Sequence, residues 1–184
     1  MTKAWLSTAL VGCIAAGHVS AQIPKTSFWL GAQADLVGLQ GPSGSPALYG
    51  AQATFARRFG ASPWEGALVL SAASRRKDAP SPDEPSYHAS TFGLYSELHY
   101  FPGSWVRGPY LLAVVGLANT RVDDRFGGLV PGVGTDATTA VLGAGLGWRF
   151  RVLRVGAFVD VQYQARTTAT HGRHAVPVRL GFRL

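Results

Sequence analysis

The 184-residue chain has one cysteine, one methionine and few charged side chains. Charged residues make up 15% of it, although hydrophobic residues make up 47%. No apolar run approaches the ~18–20 residues that a membrane-spanning helix needs. The formal net charge is +7, but no concentrated basic run or recognisable module accompanies it. We therefore expect neither a helical membrane protein nor a nucleic-acid-binding protein.

The first 21 residues have the features of a secretory signal peptide. Lys3 provides a short positive region, an apolar stretch runs from Ala4 to Gly17, and Val19-Ser20-Ala21 is an A-x-A-like cleavage site. Cleavage after Ala21 would leave residues 22–184 as one mature domain without any thiol. Such a chain is compatible with an oxidising periplasm.

Cys13 gives a competing interpretation of the same segment. Leu10-Val11-Gly12-Cys13 resembles the lipobox of bacterial lipoproteins, in which the cysteine is lipidated and becomes the new N-terminus. However, Ile14-Ala15-Ala16 continues the apolar run instead of opening a polar tether. For that reason ordinary cleavage after Ala21 is preferred.

Glycine is abundant, with 23 residues, and the mature part is dominated by segments in which apolar and polar residues alternate. Alternation with a period of two is typical of half-buried β-strands. The fifth segment alternates poorly, whereas the first and the last three alternate clearly. About ten residues is the length that a tilted transmembrane strand requires. The eight segments are residues 28–37, 48–59, 64–74, 92–100, 109–120, 140–150, 155–164 and 176–184.

The connections between these segments predict an orientation. Bacterial outer-membrane barrels place short turns and both chain ends in the periplasm, and longer loops outside. Turns are expected at 60–63, 102–108 and 151–154. The two longest and most polar loops, 75–86 and 121–135, then lie outside. The pattern predicts an all-β, eight-stranded antiparallel transmembrane up-and-down β-barrel over residues 22–184, preceded by a cleaved signal peptide.

Aromatic residues cluster toward the predicted turn side. Outer-membrane barrels carry girdles of such residues at the membrane interfaces. We therefore expect most of the large aromatics to form one rim of the barrel. They are Phe28, Trp29, Phe59, Trp64, Tyr100, Phe101, Trp105, Tyr110, Trp148, Phe150 and Phe182.

Three segments carry a family resemblance: the glycine-rich strand Val141–Phe150, the strand Val155–Tyr163 and the C-terminal segment Val176–Leu184. With them, the whole mature chain resembles the small outer-membrane β-barrel family, represented by the OmpA membrane domain and the opacity proteins. The resemblance implies a monomer in the bacterial outer membrane, in contact with lipid and lipopolysaccharide. It also implies the barrel-assembly machinery and periplasmic chaperones as partners during biogenesis. The family's C-terminal signal usually finishes on Phe or Trp, whereas this chain finishes on Leu184.

Inward positions of the predicted strands carry charges of both signs. The interior of an eight-stranded barrel is just wide enough for its own side chains, and buried charges must be paired or hydrogen-bonded. An ion-pair network that plugs the lumen is therefore favoured over a narrow polar conduit. The predicted network is Asp35, Glu65, Glu97, His99, Arg149, Asp160, Arg179 and Arg183.

Three further groups of residues could carry chemistry. His88 and Ser90 have the residue types of lipid A deacylases of this architecture, but Thr91 replaces that family's Asn and no acid is placed beside them. His171 and His174 lack a third metal ligand nearby. Positive charges could contact lipopolysaccharide phosphates or remain solvated beside neighbouring acids; these are Arg75, Arg76 and Lys77.

We accordingly predict no catalytic residue, no cofactor and no metal. The sequence favours an integral outer-membrane barrel with a structural or surface-interaction role. The alternatives are a lipid A-modifying hydrolase of the same architecture, a narrow pore and a soluble periplasmic barrel.

Overall fold

The computed structural model describes residues 26–37, 47–77, 86–103, 107–125, 135–167 and 174–184, so the predicted signal peptide lies outside the described residues. None of the described residues forms a helix that is long and apolar enough to cross a membrane. Eight strands follow one another: β1 Thr26–Val37, β2 Ala47–Arg58, β3 Trp64–Lys77, β4 Ser86–Tyr100, β5 Gly108–Arg125, β6 Thr135–Val152, β7 Val155–Arg166 and β8 His174–Arg183.

Each strand pairs antiparallel with its chain neighbours, and β8 pairs with β1, so the sheet closes into a barrel. The eight-stranded closed antiparallel fold predicted from the alternation is confirmed. Paired residues lead from Gln33 to Thr120 in one direction round the barrel, and to Tyr110 in the other. The two paths thus end ten residues apart on β5, a stagger that requires strands tilted by roughly 35–45° from the barrel axis.

The barrel has two unlike ends. The turn end carries the start of β1, the end of β8 and the connections 59–63, 101–107 and 153–154. The loop end carries the four remaining connections, 38–46, 78–85, 126–134 and 167–173. The alternation of short and long connections therefore has the predicted phase.

The two predicted long loops are shorter than expected, because strand pairing continues into them. Lys77 pairs with Tyr87, and Val122 pairs with Thr135. As a result β5 and β6 each contain 18 residues, well beyond the ~9–11 that span a bilayer. The strands were underestimated here because polar residues such as Asp123 and Asp124 were taken to mark a loop, although ladder hydrogen bonds do not depend on side-chain polarity.

Large apolar side chains cover the outer face of the barrel. Alternate residues of a strand point to opposite faces, and the outward residues of all eight strands include exposed hydrophobics. Examples are Leu30, Leu36, Tyr49, Phe55, Leu68, Leu70, Phe92, Leu94, Leu98, Leu111, Val115, Leu117, Leu142, Leu146, Val159, Val161, Tyr163, Leu180 and Phe182. A soluble monomer rarely exposes a contiguous apolar patch of more than a few hundred Å².

Five of the predicted rim aromatics are exposed at the turn end: Phe28, Phe59, Trp64, Trp148 and Phe182. Tyr100 and Phe150 are half-buried, and Trp105 lies outside the described residues. The girdle prediction is wrong for Trp29, Phe101 and Tyr110, which are buried. All three lie close to the turn end. Trp29 and Tyr110 occupy inward strand positions, and Phe101 directly follows β4. A prediction from distance to the turn alone does not distinguish inward from outward positions.

The weak alternation of β5 has a simple cause. Its outward residues are apolar, and its inward residues Leu112, Val114 and Ala118 are apolar and buried as well. They belong to one hydrophobic cluster with Val69 of β3 and Val141 of β6. A strand with two apolar faces loses the period-two signal.

Candidate functional site

The interior of the barrel holds most of the charged residues singled out above. Seven of the eight predicted network residues are buried on inward positions of six strands. They are Asp35, Glu65, Glu97, His99, Arg149, Asp160 and Arg179. Strand parity was a sufficient signal for them, because each occupies the polar face of its strand.

Arg179 connects the two central carboxylates. Its Nε donates to Asp160 Oδ1 at 2.7 Å and its Nη2 to Asp160 Oδ2 at 2.9 Å. The same guanidinium donates to Glu97 Oε1 at 2.6 Å and Oε2 at 3.0 Å. A further bond reaches Gln52 Oε1 at 3.2 Å. Both carboxylates are thus held in the two-bond geometry that matches a planar guanidinium.

The network continues toward the turn end through His99 and Glu65. His99 Nε2 lies 2.9 Å from Glu97 Oε2, and its Nδ1 lies 3.2 Å from Glu65 Oε1. Arg149 donates from Nη1 to Glu65 Oε2 at 3.0 Å and also from Nη2 to Oε1. A neutral imidazole donates from one nitrogen only, so donating to both carboxylates requires the protonated ring. Three carboxylates then face three cations.

Aromatic rings surround Arg149 at the turn end of the lumen. Its guanidinium carbon lies 4.9 Å from the Trp29 ring centroid, 4.5 Å from that of Phe101 and 5.6 Å from that of Tyr110. The Tyr110 hydroxyl donates to Asp160 Oδ2 at 2.8 Å. The sequence reasoning missed Tyr110 and Trp29 as interior residues. Their parity, shared with the inward polar positions of β5 and β1, could have identified them.

Inward glycines make room for these rings. A Cβ on Gly147 would overlap the ring of Tyr110, and one on Gly181 would overlap the ring of Phe158. A glycine beside a large ring lets the interior fill without displacing the backbone. Part of the glycine content is therefore explained by packing inside the barrel.

The loop half of the lumen is polar but has fewer charges. Arg166 donates from Nη1 to Thr120 Oγ1 at 3.1 Å, and this hydroxyl lies 3.2 Å from Thr91 Oγ1. Gln33 Nε2 donates to Asp35 Oδ2 at 3.3 Å. Hydroxyls and amides thus replace the carboxylate–guanidinium pairs of the turn half.

Little empty space remains within the described interior. The one small cavity identified there has room for about one water molecule. It lies between the aromatic rings and the ion pairs, and its lining includes Thr54, His99, Tyr110, Phe158 and Arg179.

The prediction is wrong for the eighth network residue, Arg183. Its side chain is exposed, although its position has the inward parity of Arg179. The reason is its place at the last residue of β8, where the barrel wall ends and solvent reaches inward-pointing side chains.

The structure changes the surroundings of the His–Ser pair. His88 is exposed, and Ser90 lies on the same outward face of β4 near the loop end, while Glu97 is buried inside. Register places Asp123 of β5 directly opposite His88, and Arg121 opposite Ser90. Residues directly opposite on one face have Cβ atoms about 4.5–5.5 Å apart. The backbone register thus brings an acidic residue opposite His88, a cross-strand neighbour that no single segment could reveal.

The basic cluster lies in strand rather than in a loop. Arg75 and Arg76 are exposed near the loop end of β3. The side chain of Lys77 lies outside the described part, although its backbone closes β3. Of the two histidines in the last connection, His171 lies outside the described residues, whereas His174 opens β8.

No group of three or more metal-ligating side chains occurs among the described residues. His174 instead accompanies an aromatic residue on the outer face. Its Nδ1 lies 2.6 Å from the Tyr163 hydroxyl, and the two rings are stacked with centroids 5.5 Å apart.

No protein-family profile matches the sequence, and no curated protein sequence matches it significantly. Solved structures do match. The attachment invasion locus protein Ail of Yersinia pestis, solved in complex with the heparin analogue sucrose octasulfate, aligns with a TM-score of 0.62 at 12% identity, over 89% of this chain and 100% of Ail. Neisserial surface protein A aligns with a TM-score of 0.58 at 19% identity, over 87% and 98%.

A third structure, the N-terminal β-barrel domain of Pseudomonas aeruginosa OprF, aligns with a TM-score of 0.57 at 18% identity, over 88% of this chain and 100% of that domain. Identities this low establish the shared fold only. Because the neighbours are covered almost completely, the similarity concerns the whole barrel rather than one hairpin. The chain thus has the fold of the small eight-stranded outer-membrane β-barrels.

Proposed function

We propose that this protein is an integral outer-membrane β-barrel with a structural or surface-interaction role and a closed lumen. The observation that carries the proposal is the apolar outer face, which extends round all eight strands. A barrel in water would have to expose this surface to solvent, whereas a bilayer solvates it. The connection lengths favour a turn end in the periplasm and a loop end outside the cell.

The membrane assignment is tested by fractionation and gel mobility. Folded outer-membrane barrels resist detergent and change their gel mobility on boiling, so we expect a heat-modifiable band in the outer-membrane fraction. High solubility of the folded protein without detergent would contradict the assignment. An N-terminal sequence beginning at residue 22 would support export through the predicted signal peptide.

The packing of the interior supports a closed lumen. Ion pairs centred on Arg179 and Arg149 occupy the cross-section, and the rings beside Arg149 fill the turn end. We expect no steady single-channel current in a planar bilayer. A large, steady current from the purified protein would instead favour the narrow pore.

A second candidate function is lipid hydrolysis at the outer face. The observation that favours it is the register of Asp123 opposite His88, with Ser90 two residues away on the same face. An acid that orients a histidine beside a serine is the arrangement of an activated nucleophile. Against it, no hydrogen bond joins His88 to Ser90 among the described contacts, so the non-enzymatic role remains the main proposal.

Incubation with lipid A separates these two functions. A non-enzymatic barrel releases no acyl chains. Release that stops in His88→Ala and in Asp123→Asn, but continues in the neighbouring control Ser74→Ala, would establish the hydrolase.

The partners proposed for this role are membrane lipid and lipopolysaccharide, with the assembly machinery and periplasmic chaperones acting during biogenesis on a monomer. Arg75, Arg76 and Lys77 would contact lipopolysaccharide phosphates, since guanidinium groups bind phosphate in a bidentate manner. Neutralising all three is expected to weaken lipopolysaccharide binding; unchanged affinity would contradict the contact. If Leu184 weakens recognition by the assembly machinery, Leu184→Phe will speed barrel assembly.

A further inference from the structure

The acidic residues of this chain are absent from the turn end of its outer surface. Of the ten acidic residues in the sequence, four are buried in the barrel: Asp35, Glu65, Glu97 and Asp160. The other six lie toward the loop end, within or beside its connections: Asp78, Asp83, Glu84, Asp123, Asp124 and Asp136. None of the three turn-end connections contains Asp or Glu.

Arginines, in contrast, are concentrated at the turn end. Five exposed arginines form what we call the arginine collar: Arg57, Arg107, Arg151, Arg154 and Arg183. Arg58 is half-buried beside them, opposite Glu65. At the loop end Arg75, Arg76 and Arg121 are exposed, and the sequence of the adjoining segments contains the six other acidic residues. The positive net charge of the protein is therefore borne largely by one end.

The collar adjoins the apolar outer face. Arg57 follows the exposed Phe55 by two residues on the same face of β2. Arg183 has inward parity, but as the last residue of β8 it lies where the barrel wall ends, next to the exposed Phe182. Arg151 and Arg154 flank the β6–β7 turn, in which Val152 and Leu153 are exposed. Basic groups just beyond an apolar and aromatic band lie at the depth where lipid headgroups meet water.

We propose that the arginine collar binds the phosphates of anionic phospholipids in the leaflet that surrounds the turn end. The inference rests on the proposed membrane placement and names the lipid class that this end selects. Arginine donates bidentately to phosphate oxygens, and basic groups near a membrane surface attract anionic lipid. Among the described residues of the turn end, no Asp or Glu side chain lies on the outer surface to compete for these arginines.

The spacing of the collar favours lipid over a protein partner. Three members lie at the turn-end termini of β2, β6 and β8, and the other two lie in the β4–β5 and β6–β7 connections, so the collar extends round much of the circumference. A single protein would meet one side of the barrel, whereas lipid surrounds it. Free phosphate has the same chemistry, but it would gain nothing from the adjacent apolar band.

Two tryptophans make the proposal measurable. Trp64 and Trp148 are 41% and 52% exposed at the turn end, while Trp29 is only 5% exposed inside the barrel. Brominated lipids quench tryptophans that they touch. The full mature chain, with Trp105→Phe in every form, is refolded into vesicles that mix brominated and unbrominated lipid. The quenching gives the association constant of phosphatidylglycerol relative to phosphatidylcholine at these two residues.

We expect a preference for phosphatidylglycerol on the order of fivefold at low salt, decreasing as NaCl screens the charges. The preference should approach one in Arg57→Gln/Arg151→Gln/Arg154→Gln, whose changes lie nearest the two tryptophans. The matched control Arg75→Gln/Arg76→Gln/Arg121→Gln removes the same charge at the loop end and should keep the preference. The salt dependence of the unmodified chain tests the proposal even if the collar variant fails to fold.

Each contrary result has its own meaning. A preference near one in the unmodified chain, or an equal decrease in the loop-end control, overturns the collar. If inorganic phosphate abolishes the preference beyond NaCl of the same ionic strength, the collar is a free-phosphate site and the lipid proposal is overturned. If brominated phosphatidylcholine does not quench Trp64 and Trp148 at all, the membrane placement itself is wrong.

Discussion

The turn half and the loop half of the barrel satisfy their buried charged groups in different ways. In the turn half, the buried Arg149 and Arg179 bind three carboxylates, and Arg149 also lies against aromatic rings. In the loop half, Arg166 is held by a threonine hydroxyl. Removing one member of a buried network of charges leaves the others uncompensated and is strongly destabilising. Removing a group that is bonded to a neutral hydroxyl is less costly. The comparison indicates that the turn half stabilises the closed barrel and that the loop half tolerates change.

The largest expected effect comes from removing one arginine from each half. Arg179→Met leaves Glu97 and Asp160 buried without their cation, which is expected to cost about 3–5 kcal/mol of unfolding free energy. Arg166→Met removes the bond to Thr120 and the favourable charge interaction with the buried Asp35, and is expected to cost about 1–2 kcal/mol. Urea unfolding in detergent micelles, followed by the heat-modifiable gel band, measures both.

A charge-neutral control sharpens this pair. Adding Glu97→Gln and Asp160→Asn to Arg179→Met removes the stranded charges, so part of the lost stability should return. If Arg166→Met costs as much as Arg179→Met, the contrast between the two halves does not hold.

A smaller effect is expected at Gly147, where the turn half is tightly packed. The added methyl group of Gly147→Ala would overlap the Tyr110 ring, and overpacking of this kind costs about 1–3 kcal/mol. Gly103 has no atom within 4 Å of its would-be Cβ, so Gly103→Ala is expected to change stability by less than about 0.5 kcal/mol. The same unfolding assay compares the two variants. Equal losses of unfolding free energy would mean that contact with the Tyr110 ring is not what requires glycine at position 147.

Much of the fold could be predicted because alternation with a period of two assigns each residue of a strand to one face of the sheet. Parity alone placed Asp35, Glu97 and Asp160 inside and Leu142 and Leu146 outside. The method failed where a strand had two apolar faces, as in β5, and where strand pairing extended under polar residues, as at Asp123. Neither feature leaves a period-two signal in its own segment.

The sequence predicted which residues lie in the site better than it predicted which of them contact one another. Arg179 and Glu97 are 82 residues apart in the chain, and Arg149 and Glu65 are 84 apart. Which inward residues share one level depends on the stagger of the strands, and stagger is a property of the closed sheet rather than of any segment. For the same reason the sequence did not place Asp123 beside His88.

The smallest expected effect concerns the outside of the turn end. Among the described non-glycine residues, only Leu153 has a positive φ, 55°, and its side chain is 93% exposed. A leucine in this conformation costs roughly 1–2 kcal/mol that glycine does not pay, so Leu153→Gly should raise stability by about 1 kcal/mol. Leu153→Ala keeps the backbone strain and should give no gain. If alanine stabilises as much as glycine, exposure of the side chain and not strain is responsible. An unchanged phosphatidylglycerol preference in Leu153→Gly would then assign lipid selection at this end to the arginines alone.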